Sequence, residues 1–553
     1  MNQNWYLGLD LGTTHLQAVL VNGDRQQQYP LYWERGDERI FSLPMAVSSA
    51  QKVNQAWQIS TESGLTTGKT LEGWQPFLRL APCYFDESRT WFPTLPWSNQ
   101  QALSLKSVGE ALTFLLELLK DKALALDLAP MRVRDVLGDL AGVIVGVPTH
   151  WDDSYRLNVR ESLQQSTLVK TADQVVFVPE AIATLLGFQN QLPQTVGGTL
   201  VIHSGESYTD LAVVDLPEYF PKLENQQIQS HSFDYGGNAL EQDILCQLIY
   251  PQWLPQLQDT LSNLAKTMPR AGEVDSEYRL LAAWQWRNSP VGRSLIQAAR
   301  QTKKLLQQRD QFSAYLGDQQ WQVTRPELEK QVIYPFIQQL NQQINHLFAQ
   351  SGTVIQGIQQ IICSGSNTDY CWQWLEPWLQ QKFPQAELIR DSSTQPVNRV
   401  VVGLALVPLI PKIVDGDRHR YHDYFLLGEL LRSLPKEPFS LDTLQRQLQI
   451  QGANVRHCGD RLQELLYSQR PAGLAPDLDE QQSNVFLEYP MGNTPTTALC
   501  WLGEQGLYHL HEAQQDHFLE YWQYLHQSYK IKFAEPYNLP FRQTVLQLGE
   551  PAH

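Results

Sequence analysis

The sequence predicts an α/β protein of two related lobes closing on a cleft, followed by a smaller helix-rich α+β region. Three observations carry that expectation: a strand-turn-strand unit that occurs twice, short buried strands alternating with amphipathic helices, and a switch to helical patterning beyond Pro411.

The first unit is Leu7-Gly8-Leu9-Asp10-Leu11-Gly12-Thr13-Thr14, an apolar strand entering a turn, with the apolar run resumed at Ala18-Val19-Leu20-Val21. Gly12 lets the backbone approach an anion, Thr13 and Thr14 offer hydroxyl and N–H groups, and Asp10 can hold a metal through water. An ordinary buried hairpin uses a similar turn, so these residues alone leave both readings open. A mixed insert punctuated by Pro76, Pro82, Pro93 and Pro96 follows, and then an amphipathic helix over 111–126. Residues 143–147 read as a buried strand ended by Pro148, with Asp152 or Asp153 capping the next helix. A strand over 175–178 and a small-residue helix over 181–188 complete the first half.

The second unit is Leu200-Val201-Ile202, a turn through His203-Ser204-Gly205-Glu206-Ser207, and Asp210-Leu211-Ala212-Val213-Val214. Gly236-Gly237-Asn238 caps a helix, long helices are expected over 294–308 and 325–348, and residues 358–363 form a strand that turns at Gly365-Ser366.

Beyond a polar stretch over 412–420, helices are expected over 424–434, 441–448 with Ser440 as cap, and on to 466, an arrangement that suits a helix-turn-helix module. Strands are expected over 485–489 and 498–502, and an aromatic-rich helix over 514–529. On that helix Phe518, Tyr521 and Tyr524 fall at helical spacing and can form a partner-facing stripe.

The chain has 553 residues, 42% of them hydrophobic, and a net charge of -16. That balance works against a nucleic-acid partner, since it offers no broad footprint for a phosphate backbone. The longest apolar run, 400–410, is too short to insert in a membrane, and a cytoplasmic location is expected. Six scattered cysteines without a CxxC pair read as reduced thiols and not as a zinc site.

Asp10-Leu11-Gly12-Thr13-Thr14, Val147-Pro148-Thr149-His150-Trp151-Asp152-Asp153, Gly236-Gly237, Thr324-Arg325-Pro326-Glu327-Leu328-Glu329, Gly365-Ser366 and Val402-Gly403-Leu404-Ala405 stand in the order seen in one family. Over residues 5–409 the chain resembles the ATPase domain of DnaK-type heat-shock chaperones. The resemblance implies an actin-like ATPase fold for 1–411, a linker over 412–420 and an unrelated α+β module over 421–553. It implies ATP or ADP with Mg in the cleft, Asp10, Gly12, Thr13, Thr14, Gly205 and Asp210 near phosphate or metal, and Gly236, Gly237, Lys303, Gly365 and Ser366 around ribose and base. Pro148 and Arg156 match the family's proline switch and arginine relay. The bland alternative is that these residues persist only as turns and caps.

The pattern also breaks. Where the family has Asp, glycines and a threonine in the second hairpin, this chain has His203, Glu206 and Tyr208. A lysine position reads Gln75, with Arg79 as a stand-in, and the glutamate before a proline reads Val178, with Glu180 on the far side of the ring. Arg300 and Gln307 replace a glutamate and a serine at the adenosine rim. Phosphoryl transfer relies on such positioning and charge, so the resemblance implies a chaperone-like nucleotide-binding protein with weak or lost hydrolysis that acts on protein partners. An active chaperone with rearranged residues and a nucleotide-free scaffold are the competing readings.

Overall fold

The computed structural model describes residues 4–49, 57–59, 69–84, 93–98, 101–128, 130–192, 197–252, 269–274, 279–280, 282–284, 286, 290–391, 395–467 and 498–541. The strand expected over 485–489 lies outside these residues. Two mixed sheets organise the chain. In the first, Trp5–Leu11 pairs antiparallel with His15–Asn22, which pairs with Gln27–Arg35, while on its other side Trp5–Leu11 runs parallel to Gly142–Val147 and that strand parallel to Val175–Pro179. The second sheet repeats this scheme: Gly197–Ser204 pairs antiparallel with Thr209–Leu216, then Ile228–Phe233, and on the other side parallel with Ile358–Ser364, then Glu387–Arg390. The repeat visible as two apolar hairpins is therefore a repeat of sheet topology.

The reason for unbroken apolar runs in these strands is burial on both faces. Tyr6, Val19 and Ile144 of the first sheet and Val201, Ala212 and Ile362 of the second share one core with residues of two helices, Glu180–Gly187 and Arg399–Leu406. These helices touch backbone to backbone. A Cβ on Gly403 would stand 1.7 Å from the carbonyl oxygen of Ala183, and one on Gly187 2.2 Å from that of Arg399. Gly403 of the quoted motif is thus a close-approach residue.

Element boundaries differ from expectation where local signals are ambiguous. The helix expected over 111–126 is Lys106–Lys122, followed by a short strand, Leu124–Ala125, that pairs with Gln27–Arg35. The helix begun at Gly237–Asp243 continues through a π-helical segment, Ile244–Ile249. Thr324 and Glu327 form a reciprocal capping box ahead of Arg325–Leu328, which explains that motif as a helix start.

After Pro411 come the helices Asp423–Ser433, Leu441–Ile450 and Gly459–Tyr467, a hairpin of Cys500–Leu502 with Tyr508–Leu510, and the helix Glu512–Ser528. Ser440 caps its helix as expected, accepting from the Thr443 N–H at 3.2 Å. Within 412–420, Gly416–Arg420 is a helical turn, and Ile413, Val414 and His419 are buried. One apolar cluster runs from Trp5, Leu112 and Val159 into Phe425, Leu462, Phe518 and Phe533. Polar contacts reinforce it: the Tyr529 hydroxyl donates to Asn158 Oδ1 at 2.7 Å, and the Glu161 carboxylate accepts from the backbone N–H groups of Lys530 and Ile531 at 3.0 Å.

That shared core overturns one expectation. Phe518 and Tyr521 are buried and Tyr524 packs against the same cluster. Helical spacing cannot tell a stripe facing a partner from one facing the chain's own core, and here it is the latter.

Candidate functional site

The two hairpin turns meet. Thr13 Oγ1 donates to Ser207 Oγ at 2.8 Å, joining the tip of the first hairpin to that of the second. A cavity of about 950 Å³ opens beside them, lined on its polar side by Thr13, Thr14, Glu206, Glu241 and Arg300 and on its apolar side by residues such as Trp33, Leu43 and Met45.

Glu206 is folded inward. Its Oε1 accepts from Ser366 Oγ at 2.7 Å. A Cβ on Gly237 would lie 2.5 Å from Glu206 Oε2, so a larger residue there would push the carboxylate aside. The carbonyls of Gly205 and Glu206 accept from the N–H groups of Gly237 and Asn238 at 2.9 and 2.7 Å, and a Cβ on Gly236 would meet the Gly205 carbonyl oxygen at 2.5 Å. Gly237 and the hydroxyl of Ser366 therefore lie against a carboxylate of the chain itself, while Gly205 and Gly236 pack backbone to backbone beside it. Gly365, at φ +100, passes within 2.2 Å of the Ser204 carbonyl oxygen by the same measure, which no larger residue tolerates.

On the adenosine side of the expected site, Lys303 Nζ and Arg300 Nε each lie 2.8 Å from the Glu241 carboxylate. Lys303 also sits 5.3 Å from the centre of the Tyr370 ring. Both cations are held by a residue that the sequence did not single out.

Behind the tips lies a buried acidic group. Asp10 Oδ2 accepts from Asn398 Nδ2 at 2.6 Å. Asp210 accepts from the Ala181 N–H at 2.8 Å and the Thr149 hydroxyl at 2.9 Å. Glu180 accepts from the Tyr208 hydroxyl at 2.5 Å and lies 3.3 Å from His203 Nε2. The expectation that Glu180 sits on the wrong side of Pro179 is corrected here. As the first residue of its helix, it turns its carboxylate back to the cleft. His203, against the same carboxylates, brings an imidazole into their midst. Burial lowers its pKa, but the hydrogen bond and charge of Glu180, with Asp10 and Asp210, outweigh that and raise it.

Burial first, then repulsion from Glu180, pushes Asp10 from 3.8 up to about 7, against the opposing hydrogen bond from Asn398. Between those two values the folded chain keeps a proton on Asp10 that the unfolded chain has lost, so this group destabilises the fold as pH rises through the window. Asp210, pushed up to about 6 chiefly by burial, acts in the same sense. Asp10→Asn, which retains an acceptor for Asn398, is expected to raise the melting temperature at pH 8 and to flatten its rise between pH 8 and pH 6. Thermal scans at both pH values check this, and an unchanged slope would refute it.

Gln75 is buried and donates to the Tyr155 hydroxyl at 3.3 Å, away from any phosphate role. Arg79 instead forms an ion pair with Asp234 at 2.8 Å, a second bond between the halves of the chain. Gly12 lies against the His15 carbonyl, and Thr14 accepts from the Met45 N–H at 2.8 Å through its backbone. Among the described residues no group of three or more His, Cys, Asp or Glu is arranged to hold a metal ion. No helix among them is long and apolar enough to cross a membrane. Asn398, Glu241 and Asp234 escaped the sequence reading because each meets its partner only through the fold.

No protein-family model matches the sequence. Over 214 residues, 38% of this chain, it is 24% identical to "Chaperone protein HscA" of Proteus mirabilis (strain HI4320), and the match covers 32% of that protein. The chain thus has a distant chaperone-like relationship and spans about a third of that relative's length.

Proposed function

We propose that residues 1–411 form a two-lobed, actin-like ATPase fold related to chaperones whose cleft has lost efficient ATP hydrolysis, and that the protein acts by holding protein partners. In this reading 412–420 joins that unit to a partner-binding module over 421–553. The observation that carries it is Glu206: its carboxylate lies against Gly237 and Ser366, residues expected beside bound ATP or ADP. A nucleotide entering there displaces or repels a fixed negative charge.

The acidic residues do not fit Mg²⁺. A magnesium site needs free carboxylate oxygens and several waters in octahedral array, whereas Asp10, Glu180 and Asp210 are each engaged by protein donors and face the imidazole of His203. Nucleotide binding that needs no divalent cation follows, with steady-state phosphate release near background.

Calorimetry with ATP, with and without Mg²⁺, followed by phosphate release, tests the proposal. Glu206→Gly is expected to tighten ATP binding by about tenfold to a hundredfold, a part of the Coulomb term for one charge pair near a protein surface. Turnover at the rate of an ordinary chaperone ATPase would defeat the reading. Absence of ATP binding in both proteins would favour the scaffold alternative.

A further inference from the structure

A second polar cavity, of about 250 Å³, lies where the first sheet, the second sheet and the region after Pro411 meet. Arg156 and Arg160 of the helix Asp153–Gln165 line it, together with Arg418, His422 and Phe177. Its arginines are unevenly paired. Asp153 is shared by Arg156 and Arg418, each at 3.2 Å, and Asp423 is shared by Arg418 at 3.6 Å and Arg461. Arg160 is left over.

Among the described residues no carboxylate lies within ion-pair distance of Arg160, although it is only 4% exposed. Its guanidinium sits 4.8 Å from the Phe177 ring centre and 4.9 Å from that of Tyr537, and its Nε has no hydrogen-bond partner. Arg418 Nε is also unpartnered. His422 Nδ1 accepts from the Phe425 N–H at 3.3 Å, which places the ring proton on Nε2. That Nε2 is a third buried donor with no acceptor. Asp415, also at the cavity, is exposed and uses its carboxylate to cap the Arg418 backbone N–H at 2.8 Å.

Burying a guanidinium unpaired is costly, and water in the cavity would solvate it without neutralising it. Arg160 Nε, Arg418 Nε and His422 Nε2 are buried donors at one cavity that find no acceptor in the protein, and planar guanidinium forks match tetrahedral oxyanions. The volume is that of about eight waters at roughly 30 Å³ each, enough for a phosphate and a small substituent. We propose that this cavity is a binding site for a phosphate dianion, free or as a small phosphomonoester. It is separate from the cleft and does not rest on the reading of Glu206.

The test uses the full chain, dialysed free of phosphate, in calorimetric titrations with inorganic phosphate, with phenyl phosphate and with acetate at matched ionic strength. Saturable binding of one phosphate or phenyl phosphate per chain, with none for acetate, is expected, and the two probes separate the free ion from the ester. Arg160→Met is expected to weaken binding at least about tenfold, while Arg300→Met in the cleft leaves it unchanged. Should Arg160→Met not fold, Arg160→Lys keeps the charge without the fork and is expected to show a measurable loss of affinity. No saturable binding by the parent chain, or binding indifferent to Arg160 and sensitive to Arg300, would overturn the proposal.

Discussion

Gly403→Ala is expected to destabilise the protein by more than about 3 kcal/mol, beyond the usual range for an added methyl group in a core. In a helix such as Arg399–Leu406 the same change would ordinarily be favourable, by roughly 1 kcal/mol, because alanine is the better helix former. Space decides the sign here. The new Cβ would stand 1.7 Å from the Ala183 carbonyl oxygen and 2.9 Å from the Gly187 nitrogen, both backbone atoms of the neighbouring helix. Side chains can rotate away, whereas these atoms can move only if the two helices separate. Separation would in turn lift Ala405 off Gly8, whose own Cβ would come within 2.6 Å of the Ala405 nitrogen, and loosen both sheets from their common layer. Soluble yield and the thermal unfolding midpoint provide the measure. Gly357→Ala is the control, since its Cβ meets nothing closer than 3.7 Å. A Gly403→Ala protein as stable as its parent would show that the helices are farther apart than described.

Asp153→Ala is expected to cost about 3–5 kcal/mol, the loss seen when one partner of a buried ion pair is removed. Its carboxylate joins the helix Asp153–Gln165 to the region after Pro411: Oδ1 pairs with Arg156 and Arg418, and Oδ2 accepts from the Asp423 N–H at 2.6 Å. Burial raises its pKa, but Arg418, Arg156 and Arg461 outweigh burial and hold it well below the carboxylate range. A carboxyl held low in the folded state lends stability above its unfolded value of 3.8 and loses it as pH falls further. Acid below about pH 4 should therefore loosen the parent protein at this contact, and Asp153→Asn should remove much of that sensitivity. This dependence is opposite in sign to that of Asp10. Thermal scans from pH 3 to pH 8 on the two asparagine variants separate the two groups, and acid sensitivity surviving intact in Asp153→Asn would count against the account.

What was legible in the sequence was what neighbours dictate. Apolar runs with a Gly-Thr turn announced the first hairpin, its echo at 200–214 announced the second, and Ser440 marked a helix start that the Thr443 N–H confirms. That Glu206 departs from a glycine position was legible, but its inward direction, set by Ser366 160 positions away, was not. The remainder depends on pairings that no local pattern encodes. Asn398 reaches Asp10 across 388 positions, and Tyr529 reaches Asn158 across 371. Tyr521 could not be assigned to core or surface until the cluster it joins was known. Arg160, unremarked in the sequence, is enclosed by the rings of Phe177 and Tyr537, which come from distant segments.

The core shared between the first sheet and the helices after Pro411 bears on how the chain is made. Synthesis proceeds from the N-terminus, so Leu112 and Val159 emerge long before Phe518 and Phe533, with which they share one apolar cluster. At ~5–20 residues per second, the interval between the helix Asp153–Gln165 and its cover at Tyr529 and Ile531 is roughly 20–70 s. During that time the apolar face of the helix Asp153–Gln165 lacks its later cover, and the Glu161 carboxylate lacks the N–H groups of Lys530 and Ile531. A chain distantly similar to a chaperone thus leaves apolar surface of its own uncovered until residues beyond 518 have been made.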